Sequence, residues 1–339
     1  MNRDRDRLGY RGRRILVTGA GGSVGAELCR QLARQPPARL LLLDQSEPAL
    51  HAILTDLPEG PWRPVLGSAG DGALITRLLR DEGVDMIIHA AAYKQLPLLE
   101  DNACAAIRNN VLATRTLAEA AAEAGVQRFL LISTDKAEDP VSVLGASKRL
   151  AEEIVQEAGR RSPGSRFALV RFGNVLGSSG SVVPRFARQI ARRQPLTLTD
   201  PAATRYFMSL GQAVSLILQA GLRAENGEAL ALDMGAPVPI LTLAQQMLRL
   251  AGLDPARYPI RVTGLRAGEK LHEAPLTGAP WPPDRRLLRL DLRAEPRRTL
   301  SAALQDLQRL ADAQEEEAAA RALLHWARAG DPARLAGSG

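Results

Sequence analysis

The chain has 339 residues, 45% of them hydrophobic, and a formal net charge of +7. That suffices for one large or two moderate domains with full cores. No run approaches ~18 apolar residues without charge, so nothing reads as a membrane span. With 4% aromatic residues and no block of basic residues, nothing reads as a nucleic-acid surface either.

The stretch "MNRDRDRLGYRGRR" lacks the apolar run of a signal peptide, so the expected compartment is the cytoplasm. Cys29 and Cys104 sit in apolar helical patterns and read as buried thiols, not a disulfide framework. No metal site is expected. Only four of the 44 basic residues are lysine, namely Lys94, Lys136, Lys148 and Lys270. Arginine stays protonated, whereas a buried lysine can lose its proton and act as a base. All four fall in stretches that stand out on other grounds.

In chain order, "RRILVTGAGGSVGAELCRQLA" runs from a short strand through a glycine turn into an amphipathic helix. Gly19, Gly22 and Gly25 suit a tight turn, close approach of a pyrophosphate to backbone, and close helix–strand packing. A second strand, "RLLLLD", ends at Asp44, where a carboxylate binds adenosine ribose hydroxyls and repels a 2′-phosphate. No arginine follows at 45 to 47, so NAD is expected over NADP. "VDMIIHAAA", the helix "AIRNNVLATRTLAEAAAEAG", "RFLLIST", the helix "SKRLAEEIVQEA" and "FALVRFGNV" continue the alternation. The expected fold is α/β, a doubly wound parallel sheet, with ligands beyond the carboxyl ends of its strands. His89 reads as a packed strand-end histidine. Asn109 and Asn110 interrupt an apolar helix, and one of them is expected to support backbone at the site.

From about residue 178 the pattern changes. "LGSSGSVVPRFARQIARRQPLTLTDP" opens with a Gly/Ser loop suited to a lid, and Arg205 in "TRYFM" could clamp a diphosphate. In "RAGEK", Arg266 could meet phosphate while Glu269 accepts ribose hydroxyls. The tail from Thr299 to about Ala329 has helical spacing and reads as one structural helix. The expected boundaries are 12–177 for the dinucleotide domain and 178–298 for a smaller α/β substrate-binding domain, some of whose segments return to the first. A helical segment at 299–335 follows.

"TGAGGSVGAELCRQL", "HAAAYKQLPLLEDN", "ISTDKAEDP", "GASKRLAEE", "VRFGNVLGSSGSVVPRF" and "GLRAGEKLHE" occur in this order. Together they resemble the polysaccharide-biosynthesis (CapD-like) branch of the extended short-chain dehydrogenase/reductase superfamily. That branch includes nucleotide-sugar 4,6-dehydratases acting on UDP-N-acetylglucosamine. The resemblance implies a Rossmann domain whose cofactor contacts are Gly19, Gly22, Ser23, Val24, Gly25, Asp44, Ala90, Ala91, Asn110 and Lys148. It implies a catalytic group of Thr134, Asp135, Lys136 and Lys148, and a UDP-sugar site of Lys94, Asn174, Val182, Arg205, Arg266 and Glu269. The implied assembly is a homo-oligomer. Leu144 stands where the superfamily carries its proton-moving tyrosine, as in branch members with an apolar residue there. Ser68 stands in place of an adenine-contacting aspartate. Many relatives also carry an N-terminal membrane region, which would put the protein at the inner face of the cell membrane; none is read here.

The expected chemistry is hydride removal from C4 of the sugar, loss of the C5 proton and the C6 hydroxyl, and hydride return to C6. Lys136 is expected as a neutral base for C5, Asp135 as acid for the C6 oxygen, and Thr134 as the O4 partner, with Lys148 favouring the oxyanion. Asp135, or a water held by Thr134, would replace the tyrosine. A 4-epimerase and a non-catalytic NAD-binding regulator are the alternatives, and the adjacent Asp-Lys pair argues against the first.

Overall fold

The computed structural model describes residues 9–280, 286–292 and 300–328. The first half supplies β1 (Arg14–Thr18), β2 (Arg39–Asp44), β3 (Trp62–Leu66), β4 (Met86–His89), β5 (Arg128–Ile132) and β6 (Arg166–Arg171). The second adds β7 (Asn174–Val175), β8 (Leu196–Leu198), β9 (Thr204–Arg205), β10 (Phe207–Met208) and β11 (Ala229–Leu232). After these come β12 (Val238–Pro239), β13 (Ile260–Val262), β14 (Ala279–Pro280) and β15 (Leu287–Arg289).

Among the described residues the main sheet runs β14-β15-β11-β6-β5-β4-β1-β2-β3. From β3 to β11 every pairing is parallel; β15 and β14 close that edge antiparallel. Strand order reverses between β1 and β4, which opens a crevice beyond their carboxyl ends, the place where such sheets bind ligands. This is the doubly wound α/β fold the strand–helix alternation predicts.

The near-continuous apolar strands follow from burial on both faces. Leu16, Leu41, Ile87, Phe129 and Leu169 point into one core, while Val17, Leu42, Ile88, Leu130 and Val170 point into the other. The helices Ala113–Glu123 and Val143–Arg161 cover the first face; Ser23–Ala33 and Leu210–Arg223 cover the second. The tail is two helices, not one. Leu300–Asp312 and Glu316–Arg328 are broken at Gln314, whose φ is +57°, and both bury leucines on the first face. Helical periodicity survives such a reversal, so spacing alone missed it; Thr299 and Ala329 lie outside the described residues.

The apolar helix containing Asn109 and Asn110 is also interrupted. Ile107–Leu112 is a π-helical turn between α-helical pieces, a feature that recurs at functional sites. A separate small core, with Phe186, Leu196, Leu198, Ile240 and Leu248, sits under the ladders β8–β13 and β9–β12.

Candidate active site

The glycine turn has the close approaches its spacing predicts. Gly19 has φ +66°, and a Cβ there would lie 2.7 Å from the Ala91 nitrogen. A Cβ on Gly25 would lie 1.9 Å from the Gly19 carbonyl oxygen, so the helix Ser23–Ala33 can start this near β1 only with glycine. The resulting cradle fits the pyrophosphate of a dinucleotide, with a helix N-terminus aimed at it. Asp44 ends β2 beside the turn and accepts hydrogen bonds from Gly21 N and Ser46 N, each 2.9 Å. It therefore shapes the turn as well as offering its carboxylate. Ser23 Oγ accepts from Ser179 N at 3.0 Å, which latches the Gly/Ser loop over the turn. Ser68 Oγ stays local, accepting from Gly70 N.

His89 is buried between Thr18 Oγ1 (2.7 Å from Nδ1) and Thr114 Oγ1 (2.9 Å from Nε2). Burial, with Lys148 nearby, lowers it to about 3, so it is a neutral strut. Asn110 corrects an expectation. Its amide accepts from Tyr93 N and donates to Tyr93 O and to Ser147 Oγ, at 2.8, 3.1 and 3.0 Å. Every polar atom serves the protein, so it acts on the site by holding the 90–95 loop and not as a cofactor contact.

A cavity of about 390 Å³ opens beyond β5 and β6. The structure brings Val24, Ala90, Lys94, Thr134, Lys136, Leu144, Lys148, Asn174, Val182, Arg205, Arg266 and Glu269 to its wall. Leu144 is 6% exposed and presents an apolar surface. Burial lowers Lys148 to about 8, against the opposing pull of Glu152. Burial also lowers Lys94 at the rim.

Asp135 does not line this cavity. It is 2% exposed and sits behind Thr134 and Lys136, a consequence of the 3-10 turn Asp135–Ala137 that follows β5. Its Oδ1 accepts from Thr134 Oγ1 at 2.9 Å and from Lys136 Nζ at 3.0 Å. Its Oδ2 is buried without a hydrogen-bond partner among the described residues. Direct protonation of a substrate oxygen by Asp135 is thus not what the geometry offers; it reaches the cavity through its two neighbours. Lys136 departs from expectation too. Burial works against its charge, but the Asp135 and Glu273 carboxylates outweigh burial and hold the ammonium above the ordinary lysine range. It rests as a cation, not as a neutral base.

Two more substrate-side expectations change. Arg205 donates from Nη1 to Thr204 O and Leu271 O, and from Nη2 to Lys270 O and Glu269 Oε1, all between 2.7 and 3.0 Å. Its fork is filled, so it is a clasp on the 269–273 segment and not a diphosphate clamp. Glu269 Oε1 takes Arg205 and Thr199 Oγ1 at 2.9 and 3.1 Å, and its Oε2 accepts from Arg266 N at 3.4 Å, so the carboxylate braces the 266–269 turn. Arg266, by contrast, is exposed at the wall and its guanidinium meets no acceptor among the described residues. The sequence reading missed its neighbour Arg185. Burial and the nearby Arg266 charge lower Arg185, and its buried Nε lacks a partner. Ser181 starts the helix Val182–Ala191 with no side-chain cap, and its buried hydroxyl is unpaired. Arg185 Nη2 donates to Thr197 O at 3.2 Å, and the two arginines beside an uncapped helix N-terminus have the chemistry to attract an anion. Amphipathic spacing marked Arg185 as a helix residue only, and nothing in that spacing marks which arginine turns inward.

Beneath the cluster, Arg171 meets Glu152 bidentately at 2.7 and 2.6 Å, both fully buried. Ser133 Oγ donates to the same carboxylate. Glu152 thus fixes the end of β6, through Arg171, and the residue after β5, Ser133, on the helix that carries Leu144 and Lys148.

A glycine cradle at the switch point, with a Thr-Asp-Lys turn facing a helix lysine, defines an extended short-chain dehydrogenase/reductase. The polysaccharide biosynthesis protein family matches residues 15–279, and the chain belongs to it. The chain is 44% identical over 264 residues to the capsular polysaccharide biosynthesis protein CapD of Staphylococcus aureus, covering 76% of this chain and 44% of that protein. It is 31% identical over 268 residues to a UDP-N-acetylglucosamine 4,6-dehydratase (inverting) of Campylobacter jejuni, covering 78% and 77%. Among solved structures it resembles DesIV, a dTDP-glucose 4,6-dehydratase from Streptomyces venezuelae with NAD bound. There the TM-score is 0.71, identity 26%, and coverage 77% and 87%. The chain thus spans less than half of the CapD relative's length. No described helix is long and apolar enough to cross a membrane.

Proposed function

We propose that the protein is an NAD-dependent nucleotide-sugar 4,6-dehydratase that removes water from a UDP-N-acetylhexosamine for bacterial glycan synthesis. The observation that carries this reading is the Thr134–Asp135–Lys136 cluster at the end of β5. It offers acid–base groups for an elimination where position 144 offers none. The cradle formed by Gly19, Gly22 and Gly25, with Asp44 beyond it, fits NAD, which bound there would supply reversible hydride transfer, from C4 and back to C6.

The chain's own residues handle the protons. Thr134 takes the O4 proton as it passes its own to Asp135 Oδ1, the role a tyrosine plays elsewhere in the superfamily. With Asp135 neutralised, one of the two anions holding Lys136 is gone. One ammonium proton goes to the departing C6 oxygen, and the amine so formed takes the C5 proton. Lys136 later returns a proton to C5 from the same face, which retains configuration, and Asp135 passes the O4 proton back to Lys136. Every proton is accounted for, and Lys148 favours the O4 anion electrostatically. At the other end, Arg185, Arg266 and the helix at Val182 hold the diphosphate, while Lys94, Asn174 and Glu269 line the path between.

The test is incubation with UDP-N-acetylglucosamine and mass spectrometry for loss of one water. A product of unchanged mass and inverted C4 would replace this reading with a 4-epimerase.

A further inference from the structure

Glu273 takes and gives no proton in the scheme above, yet it is built into the same cluster. It is 6% exposed and lines the cavity. Its Oε1 lies 3.2 Å from Lys136 Nζ and 3.9 Å from Arg205 Nε. Its Oε2 is buried with no hydrogen-bond partner among the described residues. A carboxylate buried in this way costs several kcal/mol unless nearby cations compensate it, so an isolated structural role at this position is unfavourable.

Lys136 is reached from every side that packs on it. Asp135 comes from its own turn, Glu273 from the segment after Lys270, and Arg205 stands behind Glu273 on β9. Lys148 shares the cavity wall from the helix Val143–Arg161. The segment that ends in Glu273 begins with Arg266, on the anion site. Arg205 clasps its middle through Glu269, Lys270 and Leu271, and Lys270 Nζ donates to Glu138 O at 3.0 Å beside the Asp135 turn. One stretch of chain therefore spans the nucleotide end and the acid–base end of the cavity.

We propose that Glu273 is a positioning residue: it aims the Lys136 ammonium into the cavity and ties it to the loop that receives the diphosphate. The inference rests on the dehydratase reading for its role in turnover, and on geometry alone for its effect on Lys136. Because Asp135 becomes neutral when it takes the O4 proton, Glu273 is the anion that still holds Lys136 in place at the elimination.

The test uses Glu273→Gln and Glu273→Asp in the full chain, with two readouts. The first is pH-dependent acylation by acetic anhydride, read by mass spectrometry; with only four lysines, each titration is resolved. Losing an opposite charge at this distance moves a partner by about one pH unit or more. The Lys136 midpoint should fall by about that amount in Glu273→Gln and recover partly in Glu273→Asp, while Lys94 stays put. The second is steady-state kinetics with UDP-N-acetylglucosamine. Glu273→Gln should lower kcat about tenfold or more with KM changed less than about twofold. An unmoved Lys136 midpoint overturns the proposal, as does a rise in KM with kcat intact. If the unaltered protein turns over no UDP-sugar, the dehydratase reading falls by itself, and the lysine midpoints still decide whether Glu273 holds Lys136.

Discussion

Thr134 Oγ1 donates a 2.9 Å hydrogen bond to Asp135 Oδ1, a carboxylate that never touches the cavity wall. The hydroxyl in front lies at the cavity wall and the acceptor behind it is shielded from solvent. Asp135→Asn keeps the shape and removes the proton acceptor. Turnover should fall about 100-fold or more, and NAD released on denaturation should be unchanged. Thr134→Val should do the same. Undiminished turnover in Asp135→Asn would exclude the relay.

The neighbouring wall predicts a contrast. Leu144→Met replaces one buried apolar side chain by another of similar volume and should keep most activity. Lys136→Arg keeps a cation between the two carboxylates but cannot release or accept a proton at neutral pH, so water loss should stop. Product analysis by mass spectrometry separates the two outcomes, and dehydration by Lys136→Arg at the normal rate would sink the proposed acid–base assignment.

The two arginines of the substrate side should behave differently. Arg205 makes four hydrogen bonds to chain atoms, a fork that lysine cannot reproduce. Arg205→Lys should therefore lower the melting temperature and the activity together. Arg266→Ala should leave the melting temperature near its original value and raise KM for the UDP-sugar more than it lowers kcat. A purely kcat defect in Arg266→Ala would take it out of the anion site.

Lys148 predicts a pH dependence of stability. Its folded-state value of about 8 lies below the ordinary lysine value of 10.5, so between these pH values the unfolded chain binds more protons and stability rises with pH. Below about 8 the burial cost is present in full. Lys148→Met should raise the melting temperature of nucleotide-free protein at pH 7, with the gain shrinking as pH rises towards 10, while abolishing turnover. Melting curves across that range check it, and a gain independent of pH would point to packing instead of charge.

Much of this was legible locally. The spacing of Gly19, Gly22 and Gly25, the alternation of apolar strands and amphipathic helices, and Asp44 at the end of β2 each depend on neighbours a few residues away. Backbone sterics and periodic burial therefore write them into the sequence. The same holds for the cavity position of Thr134, Lys136 and Leu144, since strand ends of a parallel sheet must meet at its carboxyl edge. What the sequence could not decide is which polar side chains remain free for a ligand. Arg205 and Arg266 look equivalent in their motifs, but carbonyls and a carboxylate from residues 269–271 fill the fork of the first and leave the second bare. Asn110 is consumed by Tyr93 and Ser147, and Lys136 is kept charged by Glu273, a partner brought in by folding. Hydrogen-bond saturation and buried electrostatics depend on distances between segments far apart in the chain, and only the tertiary structure sets those distances.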